Sequence, residues 1–323
     1  MATGLKSLSG ERSALRDELA ALWSSVPDKV LFFSLFAVWI VFFQFLGNST
    51  FGYTDTPSLF AWLNYTYQNS VDDQHGFLVP FAVLVLLVVK RKELISLPKA
   101  PWWPALTLVV ASLLLHMVGY VVQQTRVSVV AFFAGLYGLT GLVWGPRWLK
   151  ATFFPCFLFV FCVPIATLSD EFTLHLRVLA TKITVGLAHT LLGIDVVRIG
   201  TEIKAPMERF SYNVEAACSG LRSLTAIFAL ATIYAFIDFR KNWQRLILMA
   251  SAFPVAVIGN VIRLTTIIVA AETFGQPAGN YVHESFLFEL LPYVPPIAGL
   301  IGLGHWLGKR AARELPVLEA EPL

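Results

Sequence analysis

Cys218 stands in Ala217-Cys218-Ser219-Gly220-Leu221-Arg222-Ser223-Leu224, directly before an apolar stretch that ends near Ile237. A thiol deep in lipid is inert, whereas one at the water boundary beside a cation ionises and becomes a nucleophile. A helix start favours the anionic form, and Arg222 follows one turn deeper on the same face. Gly220 lets a second backbone approach closely. The other two cysteines, Cys156 and Cys162, lie together inside a different apolar run, on different faces of the helix expected there. Cys218 is the candidate nucleophile.

Two more side chains could serve it. Arg263, in Asn260-Val261-Ile262-Arg263-Leu264, has apolar neighbours on both sides, so its guanidinium must meet water, an acid or an anionic substrate group. Asn260, three residues earlier on the same face, could orient it or donate to an oxyanion. The plainer alternative pairs Arg263 with Glu215 or Glu272 to lock helices together. His283, in Asn280-Tyr281-Val282-His283-Glu284, is a natural proton carrier near neutral pH. His75, in Asp72-Asp73-Gln74-His75-Gly76, competes with it and could instead line an entry site. Asp72, Asp73 and His75 match no established ligand spacing, so neither a metal nor another cofactor is expected. Phosphate loops, zinc-binding His-Glu-x-x-His helices and Gly-x-Ser-x-Gly elbows are also missing from the sequence.

The elements that must position these residues are membrane helices. The 323 residues are 56% hydrophobic and only 14% charged, where a soluble domain carries about a quarter charged residues. Basic residues do not cluster with aromatics on a polar face, so no nucleic-acid partner is expected. Apolar stretches recur about eight times, near 30–46, 77–90, 102–121, 127–145, 151–168, 216–237, 246–270 and 288–308. The expected fold is an all-α polytopic transmembrane helical bundle. Pro254 should kink the seventh span, and Pro292, Pro295 and Pro296 should break the first half of the eighth.

Charge sets the orientation. Lys90, Arg91, Lys92 and Lys99 follow the second span, Arg147 and Lys150 the fourth, Arg240, Lys241 and Arg245 the sixth, and Lys309, Arg310 and Arg313 the eighth. The alternate loops 47–76 and 271–287 have no Lys or Arg. By the positive-inside tendency both termini are cytoplasmic, and Cys218, Arg263 and His283 fall toward the outer side. Residues 1–29 are then a cytoplasmic N-terminal segment, 30–308 the transmembrane domain and 309–323 a cytoplasmic tail. The first span reads as a retained anchor, without a small-x-small cleavage site behind it. Within 169–215, an extracytoplasmic insertion, Ser169-Asp170-Glu171 resembles a helix cap and residues 194–203 alternate like a short hairpin.

The Cys218 block, Asn260-x-x-Arg263 and a downstream His283 resemble the signature of the exosortase/archaeosortase membrane proteins. Gln74-His75-Gly76-Phe77-Leu78-Val79-Pro80, with the basic turn at Lys90-Arg91-Lys92, is similar to that family's N-terminal pattern. The resemblance covers about residues 70–308. It implies a multi-pass cysteine transpeptidase of the cell inner (plasma) membrane. Its substrates would be exported proteins ending in a short motif (Pro-Glu-Pro in the commonest bacterial version), a transmembrane helix and a basic tail. Cys218 would form a thioester, Arg263 would stabilise the thiolate or oxyanion, and His283 would shuttle the proton before transfer to an envelope acceptor. From the residues alone, two other classes stay open. One is a transporter or flippase binding an anionic lipid-linked substrate through Arg222 and Arg263; the other is a glycan ligase needing no thiol.

Overall fold

A computed structural model describes residues 15–50, 54–70, 72–213, 221–285, 288, 290 and 293–313, with side chains for all of these except 166–173, 213, 221–223 and 310–313. Cys218, Glu215 and Gly220 therefore lie outside the described residues, and Arg222 is described by its backbone alone. The described residues are mostly helical, and the chain divides into two units, Met1–Pro164 and Ile165–Leu323.

The first unit is built around an aromatic core. Helical residues 15–25 precede α1 (Lys29–Leu46), and Glu18 accepts from Arg91 Nε at 2.5 Å and Lys92 Nζ at 3.2 Å. After α1 come α2 (Leu59–Asn69), a 3₁₀ turn (Gln74–Phe77), α3 (Val79–Val89) and α4 (Arg91–Ser96). The hairpin of α5 (Ala105–Val121) and α6 (Thr125–Trp144) follows, then α7 (Pro146–Phe157) and a second 3₁₀ turn (Leu158–Cys162). Phe32, Trp39 and Phe43 of α1 bury against Leu59 and Trp62 of α2 and Phe132 of α6. Trp39 seats its ring on Gly135 and donates from Nε1 to the Phe132 carbonyl at 3.0 Å. The exit from α1 is held by polar groups: Asn48 is fully buried, accepts from Thr125 Oγ1 at 2.8 Å and donates to the Thr56 carbonyl at 2.6 Å. Ser58 caps α2 by accepting from the Ala61 N–H at 3.1 Å.

The second unit contains α8 (Ala166–Leu191), a sheet, and the helices α9 (Leu221–Asp238), α10 (Asn242–Ala250), α11 (Ala252–Phe274), α12 (Gln276–Glu284) and α13 (Val294–Arg313). The sheet is an antiparallel meander of β1 (Val197–Ile199), β2 (Glu202–Lys204) and β3 (Ser211–Asn213), with Ile203 paired to Arg198 on one side and Tyr212 on the other. Ile203, Phe210 and Tyr212 pack their buried side chains with Leu264, Ile267 and Ile268 of α11. A second cluster joins Leu224 and Ile227 of α9, Leu248 of α10 and Leu300 and Leu307 of α13. Helix α11 is thus shared by both apolar clusters.

Among the described residues three helical stretches are long and apolar enough to cross a membrane, Lys29–Leu46, Thr125–Trp144 and Asn242–Phe274 (α10 with α11), with shorter apolar helices at Val79–Val89, Ala105–Val121 and Leu224–Asp238. These match the first, fourth, seventh, second, third and sixth expected stretches, and the all-α polytopic membrane class holds. The details differ where proline acts. The stretch expected over 151–168 is cut: α7 begins at Pro146, carries Pro155, and yields at Leu158 to a 3₁₀ turn before Pro164. Helix α8 then starts at Ala166, ahead of the cap expected at Ser169. In the seventh span the break falls at Ser251 rather than Pro254. Pro254 has no N–H to offer the Ala250 carbonyl, so the ladder parts where α10 ends. The expected hairpin gains a third strand, β3, which leads toward Cys218 in the sequence.

Candidate active site

The geometry of the site follows from one glycine turn. Helix α11 ends at Gly275, whose φ of 86° is the left-handed backbone that glycine adopts without strain. Its N–H closes on the Ala271 carbonyl at 2.9 Å, and Pro277 then starts α12 back along α11. From Arg263 to the turn is ~18 Å of helix rise, and from the turn to His283 is ~12 Å. The remaining gap is within reach of an extended arginine. Accordingly Arg263 Nη2 lies 3.5 Å from the His283 carbonyl oxygen, at the outer limit of hydrogen bonding. That carbonyl belongs to the last turn of α12, where carbonyls lack intrahelical partners and the helix end carries partial negative charge.

Arg263 and His283 are both half-buried, and His283 has further interactions of its own. Asn260, one turn before Arg263, is only 8% exposed and sits beside Val261 and Gly259 in the helix core. Among the described residues no group takes its side-chain hydrogen bonds. Arg263 therefore meets the backbone of His283 at one end of the α11–α12 hairpin, with the buried amide of Asn260 one turn earlier on α11. A guanidinium and an amide are groups able to stabilise a developing anion, and an imidazole is a group able to move a proton. Of the two acids named as alternative partners for Arg263, Glu215 lies outside the described residues, and Glu272 Oε1 accepts from Arg209 Nη1 at 2.8 Å, which ties the loop before β3 to α11.

His75 belongs to the first unit. It occupies the 3₁₀ turn Gln74–Phe77, with Nδ1 2.9 Å from the Asp72 carbonyl oxygen. Gly76 presses on the Tyr67 ring, Tyr67 donates to the Cys162 carbonyl, and burial pushes the Tyr67 phenol well above its ordinary range. Asp73, 3% exposed, accepts from Ser70 Oγ at 2.8 Å. No group of three or more potential metal ligands exists among the described residues.

One contact escaped the reading of the sequence. Tyr212 of β3 is 8% exposed, and its hydroxyl donates to the Gln276 carbonyl at 3.1 Å, at the start of the helix that carries His283. Gly279 lies under the phenol: a Cβ there would stand 2.1 Å from the Tyr212 hydroxyl oxygen. The only hint in the sequence was Pro277-Ala278-Gly279, a glycine inside a short helix with no turn to explain it.

No curated protein and no solved structure gives a significant match to the chain. The sequence profile of the transmembrane exosortases (Exosortase_EpsH) matches residues 62–286, a stretch that takes in the His75 turn, the Cys218 block, Asn260, Arg263 and His283. With that stretch covering most of its length, the chain belongs to the transmembrane exosortase family, membrane proteases and transpeptidases that act on exported proteins bearing sorting signals.

Proposed function

We propose that the chain is a cysteine transpeptidase that cleaves C-terminal sorting signals of the Pro-Glu-Pro, helix and basic-tail kind and transfers the exported protein to an envelope acceptor. The observation that supports this most directly is the meeting of Arg263 with the end of the His283 helix. It forms in the unit whose sequence also places Cys218 between β3 and α9.

In this reading the Cys218 thiolate attacks the scissile carbonyl carbon and an S–C bond forms. Arg263, with Asn260 as a second donor, offsets the charge on the oxygen. As the tetrahedral species collapses, the C–N bond breaks and the leaving amine takes a proton from the His283 imidazolium. The acyl group is then a thioester. An acceptor amine attacks it, gives its proton to the His283 imidazole, and releases Cys218 as thiolate. Arg222 and Gly220 shape the nucleophile's surroundings, Glu215 supports that segment, and His75 lines substrate entry. The chemistry runs on the outer side of the inner membrane, with residues 1–29 and 309–323 cytoplasmic and 30–308 forming the transmembrane domain.

The test is co-expression with an exported reporter ending in motif, apolar helix and basic tail. The parent protein should shorten the reporter and pass through a hydroxylamine-sensitive adduct on Cys218. Cys218→Ala, at equal abundance, should leave the reporter full length. Continued shortening with Cys218→Ala would remove the nucleophile assignment.

A further inference from the structure

Helix α6 carries a cation in its first turn and an apolar groove along the face below it. Arg126, Val130, Phe133, Ala134 and Tyr137 recur at helical spacing and so share one face of α6. Opposite that face run the end of α7 and the second 3₁₀ turn, where Phe153, Phe157 and Val160 are all exposed. The groove between them has a volume of about 240 Å³. Phe133 and Phe159 stack along it with ring centroids 4.3 Å apart. Tyr137 is held by its hydroxyl, which donates to the Leu149 carbonyl at 2.6 Å. Arg126 crosses the same cleft at its end: its Nε donates to the Pro164 carbonyl at 2.6 Å, next to Val163 of the groove lining.

Because α6 is long and apolar enough to cross a membrane, the groove beside it faces lipid, and length and charge decide what enters. From Arg126 to Tyr137 the helix rises ~16 Å, which matches one leaflet of a hydrocarbon layer of about 30 Å. A membrane-spanning partner helix would need the whole thickness, yet the α6 lining ends at Tyr137, seven residues before the helix does. Charge points the same way. Arg126 is the only Lys or Arg between Lys99 and Arg147. Half-buried and fixed on the Pro164 carbonyl, its guanidinium holds a positive charge at the end of the apolar span, the level of lipid phosphates. Arg126 has further interactions of its own, and it is this fixed charge that draws a phosphate. We infer that the groove between α6 and α7 is a binding site for one anionic phospholipid, its phosphate on Arg126 and one acyl chain laid over Phe133, Ala134 and Tyr137. The site lies wholly within the first unit, and its occupancy does not depend on the catalytic reading.

The test places the full chain in phosphatidylcholine nanodiscs doped with a phosphatidylglycerol whose acyl chain ends in a diazirine. A phosphatidylcholine with the same chain serves as reference. After irradiation, mass spectrometry of the peptides reads the labelled positions. The anionic probe should mark the peptides of Phe133–Tyr137 and Phe153–Val160 at least ~10-fold more than the neutral one, the factor that one charge-assisted hydrogen bond supplies. Arg126→Gln should erase that preference, and Arg126→Lys should keep most of it. Ala134→Trp leaves Arg126 in place and fills the groove, which covers the case in which Arg126→Gln fails to fold. It should lower labelling of those peptides by either probe, while labelling at Val38 and Val41, exposed on α1, stays at the parent level. Equal labelling by the two probes in the parent would overturn the site and leave ordinary lipid contact. A preference that survives Arg126→Gln, or labelling undiminished by Ala134→Trp, would overturn it as well.

Discussion

Replacing Arg263 by lysine and by alanine separates its two contributions. The first is local. Its guanidinium approaches the His283 carbonyl at 3.5 Å, at a helix end whose partial negative charge a cation offsets by about 0.3–1 kcal/mol. The second belongs to the reaction, where a donor aimed at a developing oxyanion is worth about 2.7–4 kcal/mol, or ~10²–10³ in rate. Arg263→Ala loses both. Its melting temperature should drop by no more than about 4 °C and reporter cleavage by ~10²–10³-fold. Arg263→Lys keeps a cation near the end of α12, so melting should stay near the parent. A compact ammonium cannot reproduce the planar fork, however, and losing one charge-assisted hydrogen bond of about 1.5–3 kcal/mol cuts cleavage at least ~10-fold. The assay is pulse-chase of the reporter with immunodetection of both forms, alongside thermal unfolding in detergent. Arg263→Ala cleaving within about threefold of the parent would refute the oxyanion role. Melting and cleavage falling in proportion in both variants would reduce Arg263 to a brace for α12.

Two further outcomes test the fold around the site. Gly135→Ala would put a Cβ 2.1 Å from the Trp39 ring, which is pinned by its bond to the Phe132 carbonyl, so the first unit should lose about 1–3 kcal/mol; unchanged melting would show that Trp39 is free to move aside. The Glu202 carboxyl is held below its ordinary value of 4.5, chiefly by the Ser211 hydroxyl at 2.6 Å and then by Lys204, with partial burial opposing. A depressed folded value means that its stabilisation is present at neutral pH and is lost as pH falls through that value. Amide protection in β2 and β3 should therefore weaken below pH 4.5 in the parent but not in Glu202→Gln, and equal acid sensitivity in both would dismiss the Ser211 bond as its source.

What could be read from the sequence was set by how local each signal is. Apolar stretches marked the helices of a membrane protein, whereas the meeting of Arg263 with the end of the His283 helix depends on the turn at Gly275. Hydropathy does not register breaks in the backbone, however, so the uniformly apolar 151–168 concealed the change to a 3₁₀ turn at Leu158 and the break at Pro164. The partner of Glu272 was open to more than one arginine, and only the fold assigns it to Arg209. The seat of Tyr212 on Gly279 joins a strand to a helix far along the chain, with no periodicity to announce it. Cys218 and its neighbours were the most informative residues in the sequence, and the described fold reaches them only from either side, at Asn213 and Leu221.

Helix α3 has a consequence for the surrounding bilayer. Its 11 residues, Val79–Val89, rise only ~17 Å, yet Phe81, Leu84, Val85 and Val89 all face outward. Set against a hydrocarbon layer of about 30 Å, an apolar rod of that length fills little more than half the span, a mismatch that a thinner bilayer, flanking residues reaching toward the interface, or oligomerisation can take up. Each ångström of mismatch costs a fraction of a kcal/mol, so the thickness of the host membrane is itself a variable on which this chain depends.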